Sequence, residues 1–158
     1  MKTIVLIIAL VLSFIQNTFA QKPVTPLPPN SIYEELLGSG FILSFNYQRH
    51  FFLQADRHLS VRAGIGPGFN KEDAFLPIGV TYNIGSLKHF FETGLGYTHR
   101  PDPDEQRWVN VKLGYKYQHH YSGFLFKAQL TPMFFVNDFD DRKWPVWPWG
   151  GIALGWSF

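Results

Sequence analysis

The feature of this sequence that most restricts its fold is an alternation of bulky apolar residues with small or polar ones, repeated along most of the chain. In residues 108–118, Val109 and Leu113 fall on one side of the alternation, and Lys112 and Gly114 fall on the other. A period of two residues is typical of a β-strand with two unlike faces, because successive side chains point to opposite sides. The same pattern occurs in residues 41–48, 59–66, 76–83, 91–98 and 124–130. We therefore predict an all-β fold.

The N-terminal segment has the composition of an export signal. Lys2 gives a positive start, residues 4–15 are almost entirely apolar, and small residues precede a cleavage site after Ala20. A retained membrane anchor is the alternative, but this apolar run of about 12 residues is shorter than the roughly 20 that span a bilayer. We expect the chain to divide into a signal peptide (1–20), a proline-rich extended leader (21–30) and one barrel domain (31–158).

The alternation alone does not say which face of the sheet is outside, because a soluble barrel turns its apolar face inward. Two features favour an apolar face that points outward here. The opposite face is rich in Gly, Ser, Ala and Thr, whereas a strand surface in water usually carries longer polar side chains. The apolar face also carries aromatic residues toward the strand ends, as in the aromatic girdles of membrane barrels: Tyr47, Tyr82, Tyr97, Tyr115, Tyr117 and Trp156.

The sequence ends in GIALGWSF, where large residues alternate with small ones up to a final phenylalanine. Together with an export signal and repeated amphipathic strands, this ending resembles the C-terminal assembly signal of outer-membrane β-barrel proteins of Gram-negative bacteria. The resemblance implies a single antiparallel up-and-down transmembrane β-barrel in the cell outer membrane. It also implies that the barrel assembly machinery reads four residues of the last strand: Ile152, Leu154, Trp156 and Phe158.

Loop lengths predict the direction of each strand, because such barrels have short periplasmic turns and longer external loops. The external loops would be the segments 68–74, 98–107 and 136–147. Both chain ends of such a barrel are periplasmic, so the number of strands must be even. Dividing residues 31–49 at a tight turn over 38–40 gives eight strands, with glycine supplying the positive φ of the turn. A β-bulge in one long strand is the alternative. The segment HFFLQADRH, which follows, would be a periplasmic connection.

An eight-stranded barrel has an interior that side chains can fill, so we expect no open pore. The inward positions predict a charged interior cluster of Arg62, Glu92, Lys112 and Lys127. Gly79 lies between the strands of Arg62 and Glu92, and its missing side chain would let these two residues pair. Buried charges need partners, and this cluster has an excess of positive charge that Glu34 or Glu35 would balance. A structural role is the main interpretation, and a path for protons or anions is the alternative.

A His-x-Ser pair, His120 and Ser122, resembles the catalytic sequence of outer-membrane lipid A deacylases, which are also eight-stranded barrels. In a hydrolase, the histidine would act as general base and the serine as nucleophile. The sequence departs from that pattern, because no Asn follows the serine and the predicted topology puts the pair on the periplasmic side. His58 and Ser60 form a second such pair. We therefore expect no catalysis.

Composition limits the remaining functions. The chain has no cysteine, which excludes disulfides and thiolate chemistry, and its net charge of +2 includes no basic run that would suggest nucleic-acid binding. We predict no cofactor and no metal site. The predicted function is structural or surface-interacting, with outer-membrane lipid, lipopolysaccharide and a ligand of the external loops as partners. An outer-leaflet lipid-modifying hydrolase and a soluble periplasmic barrel that binds an apolar ligand are the alternatives.

Overall fold

A computed structural model describes residues 27–54, 56–68, 74–101, 106–136 and 146–158. Its strands are β1 (Asn30–Gly38), β2 (Phe41–Gln54), β3 (Arg57–Pro67), β4 (Ala74–Ser86), β5 (His89–Arg100), β6 (Gln106–Gln118), β7 (Phe124–Leu130), β8 (Met133–Phe135), β9 (Val146–Trp147) and β10 (Gly150–Ser157). None of these ranges contains a helix that is long and apolar enough to cross a membrane. The predicted signal peptide lies outside the described residues.

The strands close into a ring. β1 pairs with β2 on one side and with β10 on the other, and the pairing of β5 with β6 completes the circuit. The last two wall strands are each built from two pieces, β7 with β8 and β9 with β10. Each is interrupted at a proline, Pro132 or Pro148, which has no N–H to donate to a neighbouring strand. The predicted closed, eight-stranded antiparallel barrel is confirmed.

The alternation separates an outer and an inner face of this barrel. In β4, Ile78 and Val80 are 51% and 44% exposed on the outside, whereas Thr81 and Asn83 are buried inside. The other wall strands follow the same rule, with large apolar side chains exposed and polar side chains buried. The barrel is therefore apolar outside and largely polar inside, as the sequence predicts.

The two ends of the barrel differ. One end, which we call the turn end, carries the short connections at 55–56, 87–88 and 119–123, together with Asn30 and Phe158. The opposite end, which we call the loop end, carries the turn at 39–40 and the strand ends at Pro67, Ala74, Arg100, Gln106, Phe135 and Val146. Gly123 takes a positive φ of 70° in the last turn of the turn end, a conformation that glycine adopts easily.

The tight turn between β1 and β2 occurs where it was expected, but its glycines do not supply the positive φ. Leu37 (φ 57°) and Phe41 (φ 72°) take the left-handed conformation instead. The glycines are needed for space, because a Cβ on Gly38 would overlap the carboxyl group of Glu35. This part of the prediction was wrong because side-chain crowding, which local sequence does not reveal, decides the choice of glycine.

The same turn changes the face on which Phe41 lies. The alternation predicts Phe41 on the outer face, but its ring packs inside the barrel and Ile42 is 53% exposed. The expected long connection after the second strand is also wrong. β2 continues to Gln54, which pairs with Arg57, so only a short turn around Asp56 joins β2 to β3.

The interior at the loop end is apolar. Trp108 is 1% exposed, and its ring centroid lies 5.4 Å from that of Phe75 and 5.9 Å from that of Phe135. Phe41 stacks on Trp149 at 5.3 Å. We call this group the interior aromatic cluster: Phe41, Phe75, Trp108, Met133, Phe135 and Trp149. It fills the barrel beside the loop connections, whereas the remaining interior toward the turn end is mostly polar.

Candidate functional site: the charged interior

All four residues of the predicted charged cluster lie inside the barrel, on four different strands. Arg62 of β3 and Glu92 of β5 are each 2% exposed, and Lys112 of β6 and Lys127 of β7 are each 1% exposed. Charged side chains this deeply buried are stable only with partners. The pairing of these groups therefore determines what the interior can do.

Glu35 of β1 is the centre of the first group. Its Oε2 lies 2.9 Å from Nη1 of Arg62, and its Oε1 lies 3.5 Å from Nζ of Lys112. The side-chain amide of Gln129 donates a hydrogen bond to the same Oε1. Glu34 points to the outside. Of the two acids that the sequence offered as counter-charge, the structure therefore uses Glu35.

Glu92 and Lys127 form the second group. Nζ of Lys127 lies 3.1 Å from Oε2 of Glu92 and donates a hydrogen bond of 2.6 Å to Oε1 of Gln48. It also lies 4.5 Å from the centre of the Tyr33 ring, within the range of a cation–π interaction. Lys127 thus connects β7 with β5 and, across the interior, with β2.

The pairing of Arg62 with Glu92 was predicted wrongly. Arg62 does lie opposite Gly79, but Gly79 pairs with Gly96, and Glu92 lies opposite Asn83. The register between β4 and β5 differs by four residues because β4 continues to Ser86 and turns only at 87–88. A shift by an even number of residues keeps every side chain on its face but changes its partner, so Arg62 pairs with the acid of the first strand.

A further interior cation, Lys116, is absent from the predicted cluster although it lies on the polar face of β6. Lys116, and not Lys112, is directly opposite Lys127. Its Nζ lies 3.0 Å from Nε2 of His58, whose ring packs edge-on against His50 at 5.1 Å. The alternation alone could have identified Lys116, but its histidine partner lies far away in the sequence and only the closed ring brings them together.

His50 lies in a chain of buried hydrogen bonds near the turn end. Its Nδ1 is 2.8 Å from the hydroxyl of Ser60, and its Nε2 is 2.9 Å from the hydroxyl of Ser31. Ser60 therefore bonds to this histidine and not to His58, its partner in the sequence motif. A serine hydrolase needs an acid to orient the imidazole, but in the described interior a second serine occupies that position.

The other motif pair, His120 and Ser122, lies in the turn 119–123 at the turn end. The backbone N–H of Ser122 donates to Nδ1 of His119 at 3.1 Å. Burial lowers the pKa of His120, and the neighbouring His119 and Lys88 lower it further. In the described part of the chain no hydrogen bond joins His120 to Ser122, so the pair lacks the contact that activates a nucleophile.

The residues of the predicted assembly signal form one row on the outer face of β10 and its end. They are 48% to 56% exposed: Ile152, Leu154, Trp156 and Phe158. β10 pairs with β1 and with β7, so this row lies at the place where the first and last strands close the ring. Its role in assembly stays a prediction.

The predicted external loops 68–74 and 136–147 fall mostly outside the described residues, as do the acidic side chains of all three loops. The loop predicted over 98–107 was drawn too long, because β5 continues to Arg100 and β6 begins at Gln106. Among the described residues, no three His, Asp or Glu side chains are grouped as metal ligands.

Comparison with known proteins supports the fold. No protein-family model and no curated protein sequence matches the chain. Its structure is similar to that of the N-terminal beta-barrel domain of Pseudomonas aeruginosa OprF, with a TM-score of 0.51 and 15% sequence identity. The match covers 82% of this chain and 95% of that domain. At this identity the likeness concerns the barrel architecture alone.

Proposed function

We propose that this protein is an outer-membrane β-barrel with a filled interior, and that it acts as a structural or surface-interacting protein without catalysis. This proposal rests on the orientation of the strands: their apolar faces point outward and their polar faces point into the barrel. Leu95 and Ile78 are 61% and 51% exposed on the outside, whereas Arg62 and Lys112 are buried. An apolar band around a closed barrel suits lipid, and it is too large for a monomer in water.

The filling of the interior favours a closed barrel over an open channel. The interior aromatic cluster occupies the loop end, and the ion pairs of Glu35 and Glu92 cross the middle. A soluble barrel that binds an apolar ligand would need the opposite arrangement, with its apolar faces inward. The hydrolase alternative has no support from the geometry of either His-x-Ser pair.

The remaining parts of the proposal follow from this placement. The loop end would face the outside of the cell, where the segments 68–74, 98–107 and 136–147 could contact lipopolysaccharide or a surface ligand. The row from Ile152 to Phe158 would be read by the barrel assembly machinery. Export would remove residues 1–20.

Fractionation of cells that express the full chain tests the proposal, followed by gel electrophoresis of heated and unheated samples in SDS. We expect the protein in the outer-membrane fraction, extractable only with detergent, with a mobility that changes on heating as the barrel unfolds. Release into the soluble periplasmic fraction would contradict the proposal.

A further inference from the structure

The barrel interior contains more positive than negative charge. Among its described residues, the two carboxylates of Glu35 and Glu92 face four cationic side chains: Arg62, Lys112, Lys116 and Lys127. Arg100, which is also buried, lies at the loop end and has contacts of its own. Charges withdrawn from water need partners of opposite sign. The two carboxylates form ion pairs with Arg62, Lys112 and Lys127, and Lys116 contacts His58 instead.

The shortage of negative charge is greatest around Glu35, because its single carboxylate pairs with both Arg62 and Lys112. Arg62 uses only Nη1 for this contact, and within the described part of the chain its Nε and Nη2 form no hydrogen bond of normal geometry, although the hydroxyl of Tyr33 lies close to the guanidinium. Nζ of Lys112 is 3.5 Å from the carboxylate and likewise forms no hydrogen bond there. Both side chains are at least nine-tenths buried. They therefore bring several unused N–H donors to one place.

The barrel wall beside these donors consists of glycines. Arg62 lies opposite Gly79, which pairs in turn with Gly96, and Lys112 lies opposite Gly94. A Cβ on Gly79 would lie 3.2 Å from Nε of Arg62, so even an alanine would crowd the guanidinium. The carboxamide of Asn110 lies over Gly96, where a Cβ would overlap its Oδ1, and the wall itself adds no side chain at Gly79 or Gly94.

We propose that Arg62 and Lys112 together bind one small inorganic anion, of the size of chloride, inside the barrel beside Glu35. An anion at this position would accept hydrogen bonds from the unused donors and offset part of the buried positive charge. The narrow interior of an eight-stranded barrel leaves no room for a larger organic acid. The interior would then hold a bound counter-ion in addition to its side-chain ion pairs.

Chloride nuclear magnetic resonance tests this proposal on the purified, folded barrel in detergent micelles at neutral pH. Sodium chloride is titrated against sodium gluconate at constant ionic strength, and the width of the chloride line is recorded. We expect a broadening that saturates with chloride, is competed by bromide, and disappears when the sample is heated until it unfolds.

Four variants separate a site from general attraction to a basic protein. R62M and K112M should each bind chloride at least about tenfold more weakly, because each removes a buried charged donor. R49M removes an exposed arginine at the turn end and should bind like the wild type. E35Q removes the competing carboxylate and should bind chloride more tightly. The mobility of unheated samples in SDS gels verifies that each variant folds.

Saturable binding that R62M and K112M weaken and E35Q strengthens would support the site. The proposal would be overturned by broadening that does not saturate in the wild type, or by equal binding in the wild type and K112M. If K112M and R62M do not fold, the charge-keeping variants R62K and K112R are measured instead: a weaker affinity for chloride supports the site, and an affinity equal to that of the wild type overturns the proposal.

Discussion

Arg62 of β3 and Glu35 of β1 meet inside the barrel at 2.9 Å, although β2 lies between their strands. Lys112 of β6 reaches the same carboxylate at 3.5 Å from another part of the ring. Side chains from three separated strands thus converge on one acid. Such contacts hold the wall strands from within and are independent of the backbone hydrogen bonds between neighbours.

Replacement of Glu35 by glutamine should destabilise the barrel. The change leaves Arg62 and Lys112 buried without their counter-charge, and we expect the free energy of unfolding to fall by about 3–5 kcal/mol. The adjacent Glu34 is the matched control, because it faces outward and has no interior partner. Glu34→Gln should not lower the free energy of unfolding, because it removes a charge from the face that would meet lipid. Urea unfolding in lipid vesicles, followed by tryptophan fluorescence, measures both; equal effects would contradict the prediction.

The ion pair of Glu92 and Lys127 should show strong coupling in a double-mutant cycle. Glu92→Gln and Lys127→Met should each lower the free energy of unfolding by several kcal/mol, roughly 3–5, because each leaves an unpaired buried charge. The double variant removes both charges and should lose less than the sum of the two single losses, by about 1–3 kcal/mol. Additive losses in the same urea experiment would mean that the 3.1 Å contact does not govern stability.

An arginine on the outer face should hinder insertion into lipid. Leu95 is 61% exposed and lies midway along β5, so Leu95→Arg should cost about 2–4 kcal/mol in a bilayer. Tyr121 is 86% exposed in a turn, and Tyr121→Arg should have almost no effect. The fraction of each variant that folds into vesicles, measured from unheated SDS gels, tests the lipid-facing orientation. Comparable folding yields for both variants would argue that this face does not meet lipid.

Removal of the central indole of the interior aromatic cluster should open the loop end. Trp108→Ala should destabilise the barrel by about 3–5 kcal/mol and raise its ion conductance in planar bilayers, because it leaves a cavity where a buried ring stood. Phe134 is 36% exposed on the outer face, opposite Val109. Phe134→Ala should leave the conductance unchanged. A wild-type barrel that conducts as well as Trp108→Ala would show that the cluster does not close the interior.

The sequence by itself determined the construction of the wall. A period of two residues is a local property, and it assigned side chains such as Ile78 and Lys112 to the correct faces without any knowledge of their neighbours. The number of strands had to be even, and together with the short turns this predicted eight strands. The polar faces of these strands predicted the buried positions of all four interior charges. The exception was Phe41, where a positive φ breaks the alternation beside a tight turn.

Only the tertiary structure decided which interior groups meet. Arg62 was matched with Glu92 instead of Glu35 because a register shift of four residues between β4 and β5 preserves every face while it changes every partner. Contacts such as Lys116 with His58 join residues that are 58 positions apart, on strands that face each other only after the ring closes. Local pattern fixes the face of a side chain, but the partner of a buried charge depends on the length of each turn and on the closure of the whole barrel.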